Sequence, residues 1–287
     1  MPDIKVVGIM SKPGIPHATD LVSELLTWLD ARSVTARMDE ETALYVGASN
    51  GLPRDDVPEG TQLVIVLGGD GTLLSAARAV RGREIPLFPV NLGGLGFLTA
   101  ITQDQIYPEL ERAMRGEQRV VPRRMLHAEL VRGGEIIKSY EALNDVVIAK
   151  TQIARMIDLE THVDQHYVST FKADGMIIAT PTGSTAYSLS AGGPIVFPAV
   201  AAICITPVCP HMLTNRPVLV PDTSVIKVIC HAADTEAFLT VDGQVGGPLL
   251  TEDIIICKSS QHSVHLIRPP RMFFFDVLRQ KLKWGER

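Results

Sequence analysis

Asp70 stands among glycines in Gly68-Gly69-Asp70-Gly71-Thr72, and a carboxylate in such a stretch is a chemical anomaly. Glycines carry no Cβ, so a phosphate can approach the main chain closely, and the backbone N–H groups at a helix start attract it. A carboxylate at the same place repels phosphate unless a metal ion or a hydroxyl nucleophile stands between them. The combination points to phosphoryl transfer rather than to nucleotide binding alone. The bland alternative is that Asp70 or Thr72 only caps a helix. Two familiar phosphate motifs are excluded. G-x-x-x-x-G-K-[ST] occurs nowhere, and Gly69-Asp70-Gly71 runs on to Leu74 where the dinucleotide fingerprint needs a third glycine.

Three further groups lie downstream. Asn144-Asp145 interrupts an apolar run, Leu143 before it and Val146-Val147-Ile148 after it. A carboxamide beside a carboxylate suits ribose hydroxyls, which offer both donors and acceptors; the plain reading is a turn before a strand. Ala173-Asp174-Gly175 leads into Pro181-Thr182-Gly183-Ser184-Thr185-Ala186-Tyr187-Ser188-Leu189-Ser190-Ala191-Gly192-Gly193-Pro194, a block of hydroxyls, small residues and one Tyr. Ser184 or Thr185 could cap a short helix whose N–H groups and hydroxyls bind a ligand. Val241-Asp242-Gly243-Gln244 contains Asp-Gly, a common hairpin turn.

The elements that must position these groups follow from periodicity. Residues 63–67, Leu-Val-Ile-Val-Leu, read as a buried strand, and 73–80 as the helix after the turn. A first strand is expected over 4–10, an amphipathic helix over 18–31, a short buried strand over 86–91 and a helix over 106–115. The 86–91 strand ends in a second glycine turn, Gly93-Gly94-Leu95-Gly96-Phe97. Strands alternating with helices imply an open, largely parallel sheet, with both glycine turns facing one crevice at the C-terminal strand ends. Near Val120 the pattern changes to short β-rich runs: 126–131, 136–140, 146–148, 157–163, 176–180, 225–230, 238–241 and 254–258. The expected organisation is an α/β domain over 1–120, an all-β, sandwich-like domain over 121–270, and a C-terminal helix over 271–287 that rejoins the first.

Composition narrows the class. The chain has 287 residues, 46% hydrophobic and 21% charged, which suits two packed domains and argues against long disorder. A net charge of -5 gives no support for nucleic-acid binding. The most apolar stretch, 194–213, holds Pro194, Pro198, Pro207 and Pro210, which would break a membrane-spanning helix; buried strands and loops are expected there. The N-terminus has no secretory pattern, and Cys204, Cys209, Cys230 and Cys257 show no C-x-x-C spacing. Reduced, buried thiols in a cytoplasmic protein, with neither zinc site nor disulfide frame, are expected.

The glycine turn, Asn144-Asp145, the 173–194 block, Leu213-Thr214-Asn215-Arg216-Pro217 and Val241-Asp242-Gly243-Gln244 occur in the order seen in NAD kinases, and the chain resembles that family over nearly its whole length. Phosphofructokinases and diacylglycerol or sphingosine kinases carry related glycine turns; the 182–194 block joined to the Asn-acid pair does not belong to them. Asp145 stands where many family members have Glu, one methylene shorter. The resemblance implies that ATP phosphorylates the 2′-hydroxyl of the adenosine ribose of NAD, with Mg²⁺, and that Asp70 orients this hydroxyl and accepts its proton. It implies phosphate contacts from Gly68, Gly69, Gly71 and Thr72. It implies NAD contacts from Asp70, Gly71, Phe97, Asn144, Asp145, Asp174, Thr185, Ala186, Tyr187, Ser188, Leu189 and Ser190, with Arg155, Lys172 and Gln244 lining the same site. A homodimer or homotetramer is implied as well. A carboxylate near a helix N-terminus is a weak base. In a loose phosphoryl-transfer transition state the proton leaves late, so positioning dominates.

Overall fold

The computed structural model describes residues 4–15, 18–94, 96–151, 155–232, 236–269 and 273–285. They form two compact units, one from 1–122 with 264–287 and one from 123–263.

In the first unit β1 (Val6–Ser11), α1 (Ala18–Asp30), β2 (Thr35–Met38), α2 (Glu40–Tyr45), β3 (Leu63–Gly68), α3 (Asp70–Ala79), β4 (Leu87–Asn91), β5 (Ile101–Thr102) and α4 (Ile106–Met114) follow one another. The strands pair in parallel in the order β4-β3-β1-β2, with β5 beside β4. All six residues of β3 are buried, because a parallel strand packed on both faces must be apolar on both. Leu21, Val22, Leu25 and Leu29 place the buried stripe of α1 on this sheet's core with Ile9, Ile65 and Phe88. β2 and α2 were not anticipated. Both are short, only Thr42 and Ala43 among their residues are buried, and α2 is defined by its cap: the Asp39 carboxylate accepts from the Thr42 N–H at 2.9 Å.

In the second unit the chain runs through β6 (Arg119–Arg132), β7 (Glu135–Ala142), β8 (Asp145–Lys150), β9 (Ile157–Val163), β10 (His166–Ala173), β11 (Gly175–Ala179) and the single turn α5 (Tyr187–Ser190). It continues through β12 (Ala202–Val208), β13 (Val218–Pro221), β14 (Ile226–His231), β15 (Ala237–Val241), β16 (Val245–Leu249) and β17 (Asp253–Arg268). Two antiparallel layers result, β10-β9-β14-β17 with the β6–β7 hairpin, and β13-β12-β11-β8-β15-β16. Side chains of both fill one core, among them Leu159, Phe171, Ile226 and Val228 from one layer and Ile148, Met176, Ile178, Ile205 and Leu239 from the other. The architecture is therefore an α/β domain with a mostly parallel sheet and a β-rich sandwich. The tail helix α6 (Phe274–Leu282) falls in the first unit; residues 271, 272, 286 and 287 of the expected tail lie outside the described residues.

Residues 202–208 of the apolar stretch form β12, and no described helix is long and apolar enough to cross a membrane. Cys204, Cys230 and Cys257 are buried free thiols, but Cys209 is exposed, contrary to expectation, because it follows β12 in a left-handed turn at φ 46°. Burial pushes the Cys230 thiol up to about 12.

Candidate active site

In the first unit, β3 ends at Gly68 and α3 begins at Asp70, so the glycine turn is the abrupt strand-to-helix junction that the sequence implied. Thr72 is buried and folded back over Gly68, where a Cβ would stand 2.4 Å from its Oγ1. Gly68 and Gly69 line a cavity of about 260 Å³ together with Gly93, Gly94, Lys12 and Asn91. The two glycine turns thus do share one crevice. Lys12, at the end of β1, supplies its cation, and sequence reading passed over it because a single Lys after a strand has no signature.

Asp70 does not cap its own helix. Its Oδ2 accepts from the Phe97 N–H (2.9 Å), and its Oδ1 accepts from Leu98 N–H (3.1 Å), Thr99 N–H (3.0 Å) and the Thr99 hydroxyl (2.9 Å). The turn after β4 is therefore tied to the turn after β3 through one carboxylate. Arg268, at the end of β17 and buried, donates from Nη2 to the Phe97 carbonyl at 2.7 Å. Burial pulls its guanidinium below the usual range, opposed by the negative charge of Asp70.

The second unit holds a separate cavity of about 390 Å³, lined by Asn144, Asp145, Ala186, Tyr187, Thr240 and Asp242 among others. Its floor is organised by Asp242. The Asp242-Gly243 pair, both at positive φ, makes the tight hairpin joining β15 to β16, as its sequence suggests. The same carboxylate accepts from the N–H groups of Leu143 (3.0 Å), Asn144 (2.7 Å) and Asp145 (3.1 Å). One residue is thus both turn former and anchor; the turn was legible, the anchor was not. The 180–185 loop lies directly on Asn144: a Cβ on Gly183 would stand 2.0 Å from the Asn144 carbonyl oxygen, so only glycine fits. Asp145 opens β8 and is buried. Burial, and secondarily the charge of Asp242, push its carboxyl up to about 7. Near neutrality it is shared between the protonated and ionised forms and offers a donor as well as an acceptor.

The remaining residues of the 173–190 block divide between surface and core. Ala186 and Tyr187 face the cavity, and Tyr187 is half-exposed. Ser184 is buried: its hydroxyl donates to the Pro181 carbonyl (2.7 Å) and accepts from the Val196 N–H (2.9 Å), so it ties the loop together rather than capping a helix. Ser188 is buried with its hydroxyl 3.0 Å from Thr206 Oγ1. Thr185 and Leu189 are half-buried, and Ser190 is exposed. Asp174 forms an ion pair with Lys150 at 2.5 Å, a lysine that sequence reading did not single out. Lys172 and Arg155 are exposed, and Gln244 sits exposed in the hairpin with its N–H on the Val241 carbonyl. Among the described residues, no three His, Cys, Asp or Glu side chains gather as a metal-binding cluster.

Each unit thus offers a cavity of its own, one at the two glycine turns and one beside Asn144 and Asp145. Residues 7–118 match the ATP-NAD kinase N-terminal domain, and 143–269 the ATP-NAD kinase C-terminal domain. An NAD kinase of Solibacter usitatus is 63% identical over 287 residues, covering all of both chains. One of Geotalea daltonii is 47% identical over 284 residues, 99% of this chain and all of that one. The crystal structure of yeast NADH kinase complexed with NADH superposes with a TM-score of 0.90 at 25% identity, covering all of this chain and 90% of that one. An Archaeoglobus fulgidus NAD kinase in complex with ATP shares the fold, with a TM-score of 0.76 at 24% identity over 97% and 98% of the two chains. This chain belongs to the family of ATP-dependent NAD kinases.

Proposed function

We propose that the protein transfers the γ-phosphate of ATP to the 2′-hydroxyl of the adenosine ribose of NAD, giving ADP and NADP, with Asp70 as the proton acceptor. The observation that carries this reading is the hydrogen bonding of Asp70. Its carboxylate is held by backbone N–H groups at the mouth of a glycine cradle, so it is fixed in place before any ligand arrives. Fixed geometry is what a late proton transfer rewards. The triphosphate is assigned to the cavity of Gly68, Gly69, Gly93 and Gly94, with Lys12 as its counter-charge. NAD is assigned to the cavity of Asn144, Asp145, Ala186 and Tyr187 in the second unit, the NAD-binding domain. Gly71, Thr72, Phe97, Asp174, Thr185 and Ser190 remain in this proposal as supporting contacts.

Among the described residues lining the glycine cradle there is no carboxylate. Among the described residues no carboxylate cluster offers a cage for Mg²⁺, and we assign the ion to the ATP phosphates as part of that substrate. A cytoplasmic homodimer or homotetramer completes the reading.

The test is direct. Incubation with ATP, Mg²⁺ and NAD, coupled to an NADP-specific dehydrogenase, yields NADP. No NADP, with turnover on a lipid or sugar acceptor instead, assigns the glycine turn to another kinase chemistry. NAD binding without any turnover makes the protein a nucleotide sensor.

A further inference from the structure

We propose that Thr99 is a positioning residue for phosphoryl transfer: its hydroxyl, turned by Asn91, donates to Oδ1 of Asp70 and leaves Oδ2 as the oxygen that takes the acceptor's proton. This rests on the reading of Asp70 given above and goes one residue further.

The argument begins with the direction of one proton. The Asn91 side chain accepts from the Gly93 N–H through Oδ1 (2.8 Å) and donates through Nδ2 to the carbonyls of Gly94 (3.0 Å) and Thr99 (3.3 Å). A flipped amide would set its oxygen against two carbonyl oxygens, so this orientation is fixed. The same Nδ2 lies 3.1 Å from Thr99 Oγ1 and can only donate to it. The Thr99 hydroxyl spends a lone pair on Asn91, and its own proton goes to Asp70 Oδ1 at 2.9 Å.

The two oxygens of Asp70 are then unequal. A carboxylate oxygen has two lone-pair positions. Oδ1 serves three donors, Leu98 N–H, Thr99 N–H and the Thr99 hydroxyl, and is saturated. Among the described residues Oδ2 serves the Phe97 N–H alone, and it keeps one position for a substrate hydroxyl. Arg268 holds the next peptide through the Phe97 carbonyl, the unit whose N–H on Leu98 donates to Oδ1, so the 97–98 segment is clamped from both sides. The packing leaves no slack around Oδ1. A Cβ on Gly96 would stand 2.2 Å from it and 2.2 Å from Thr99 Oγ1, so the relay requires a residue without a side chain at that point. Thr99 and Asn91 are both buried, which keeps water from replacing the hydroxyl.

The test is steady-state kinetics and melting of Thr99→Val, Thr99→Ser and Asp70→Asn beside the wild type, with ATP, Mg²⁺ and NAD. Valine keeps the volume and removes the donor; serine keeps the donor. Thr99→Val is expected to lower kcat by about tenfold to a hundredfold while KM for NAD moves by less than about threefold. Thr99→Ser should recover most of the lost kcat. Wild-type kcat in Thr99→Val, or an equal loss in Thr99→Ser, overturns the proposal. If Thr99→Val does not fold, Thr99→Ala takes its place with the same expectation, and failure of both to fold overturns it too, since the hydroxyl then serves the fold. Loss of activity in Asp70→Asn with none in Thr99→Val sinks Thr99 and leaves the role of Asp70 standing; an active Asp70→Asn sinks that role itself.

Discussion

The Asp70 turn and the Asp145 pocket both take a carboxyl group out of bulk water, and they treat it in opposite ways. Asp70 is surrounded by donors: three backbone N–H groups, one hydroxyl and, farther off, the positive charge of Arg268. Asp145 is buried beside another carboxylate, and Asp242 has taken the N–H groups of 143–145 for itself. The first arrangement fixes the carboxylate in one orientation, and the second raises the proton affinity. One unit thus presents a carboxylate fixed by its donors, while the other presents a group that can give or take a hydrogen bond. The lesson is that the neighbours of a carboxylate, rather than its identity, set the work it can do.

The largest expected break in this contrast comes from Asp70→Asn. The coupled assay should show kcat lowered by roughly two or more orders of magnitude. The substitution is not silent for the 97–99 segment, because an amide NH₂ must face at least one N–H that the carboxylate accepted. Calorimetric titration should therefore show some loss of NAD affinity, smaller than the loss in kcat. Near wild-type turnover would remove Asp70 from the chemistry.

Asp145→Asn sharpens the other half. With its carboxyl at about 7, the folded protein holds a proton that the unfolded chain releases near the ordinary carboxylate range. This contribution to stability is therefore greatest at the acid end and is lost as pH rises towards 7, by on the order of 4 kcal/mol in full. Urea unfolding at several pH values between 4 and 8 should show a shallower fall for the variant. Equal slopes in wild type and variant would assign the titration elsewhere.

Asn144→Ala separates the two cavities. NAD binding is expected to weaken by about 1–3 kcal/mol while ATP affinity holds. Equal weakening of both ligands would make Asn144 a folding residue. The smallest effect is expected from Ala186→Leu at the half-buried rim of the cavity proposed for NAD, about 1 kcal/mol, the low end of the range for overpacking. It should appear as a raised KM for NAD with the melting temperature nearly unchanged. An unfolded variant that NAD does not rescue would place residue 186 in the core.

The sequence by itself determined the parts whose signal is local. The apolar run at 63–67 followed by glycines could only be a buried strand entering a turn, and the observed junction falls between Gly68 and Asp70. Alternation over 157–163 gave β9 to the residue, since one face of that strand is core and the other is not. Strands with polar outer faces or prolines, β10 and β13, left too weak a pattern to read, as did the cap-defined α2. Tertiary structure alone decided which carboxylate serves which purpose. Asp242 announced a hairpin in sequence, and only the fold carried its oxygens to Leu143, Asn144 and Asp145, about a hundred residues away. Thr99 has no motif; it reaches Asp70 across 29 residues of chain, with Asn91 hydrogen-bonded behind it. Hydrogen bonds and burial act through space, whereas periodicity and turn chemistry act along the chain; the elements were legible for the second reason, and the electrostatics of the site had to wait for the first.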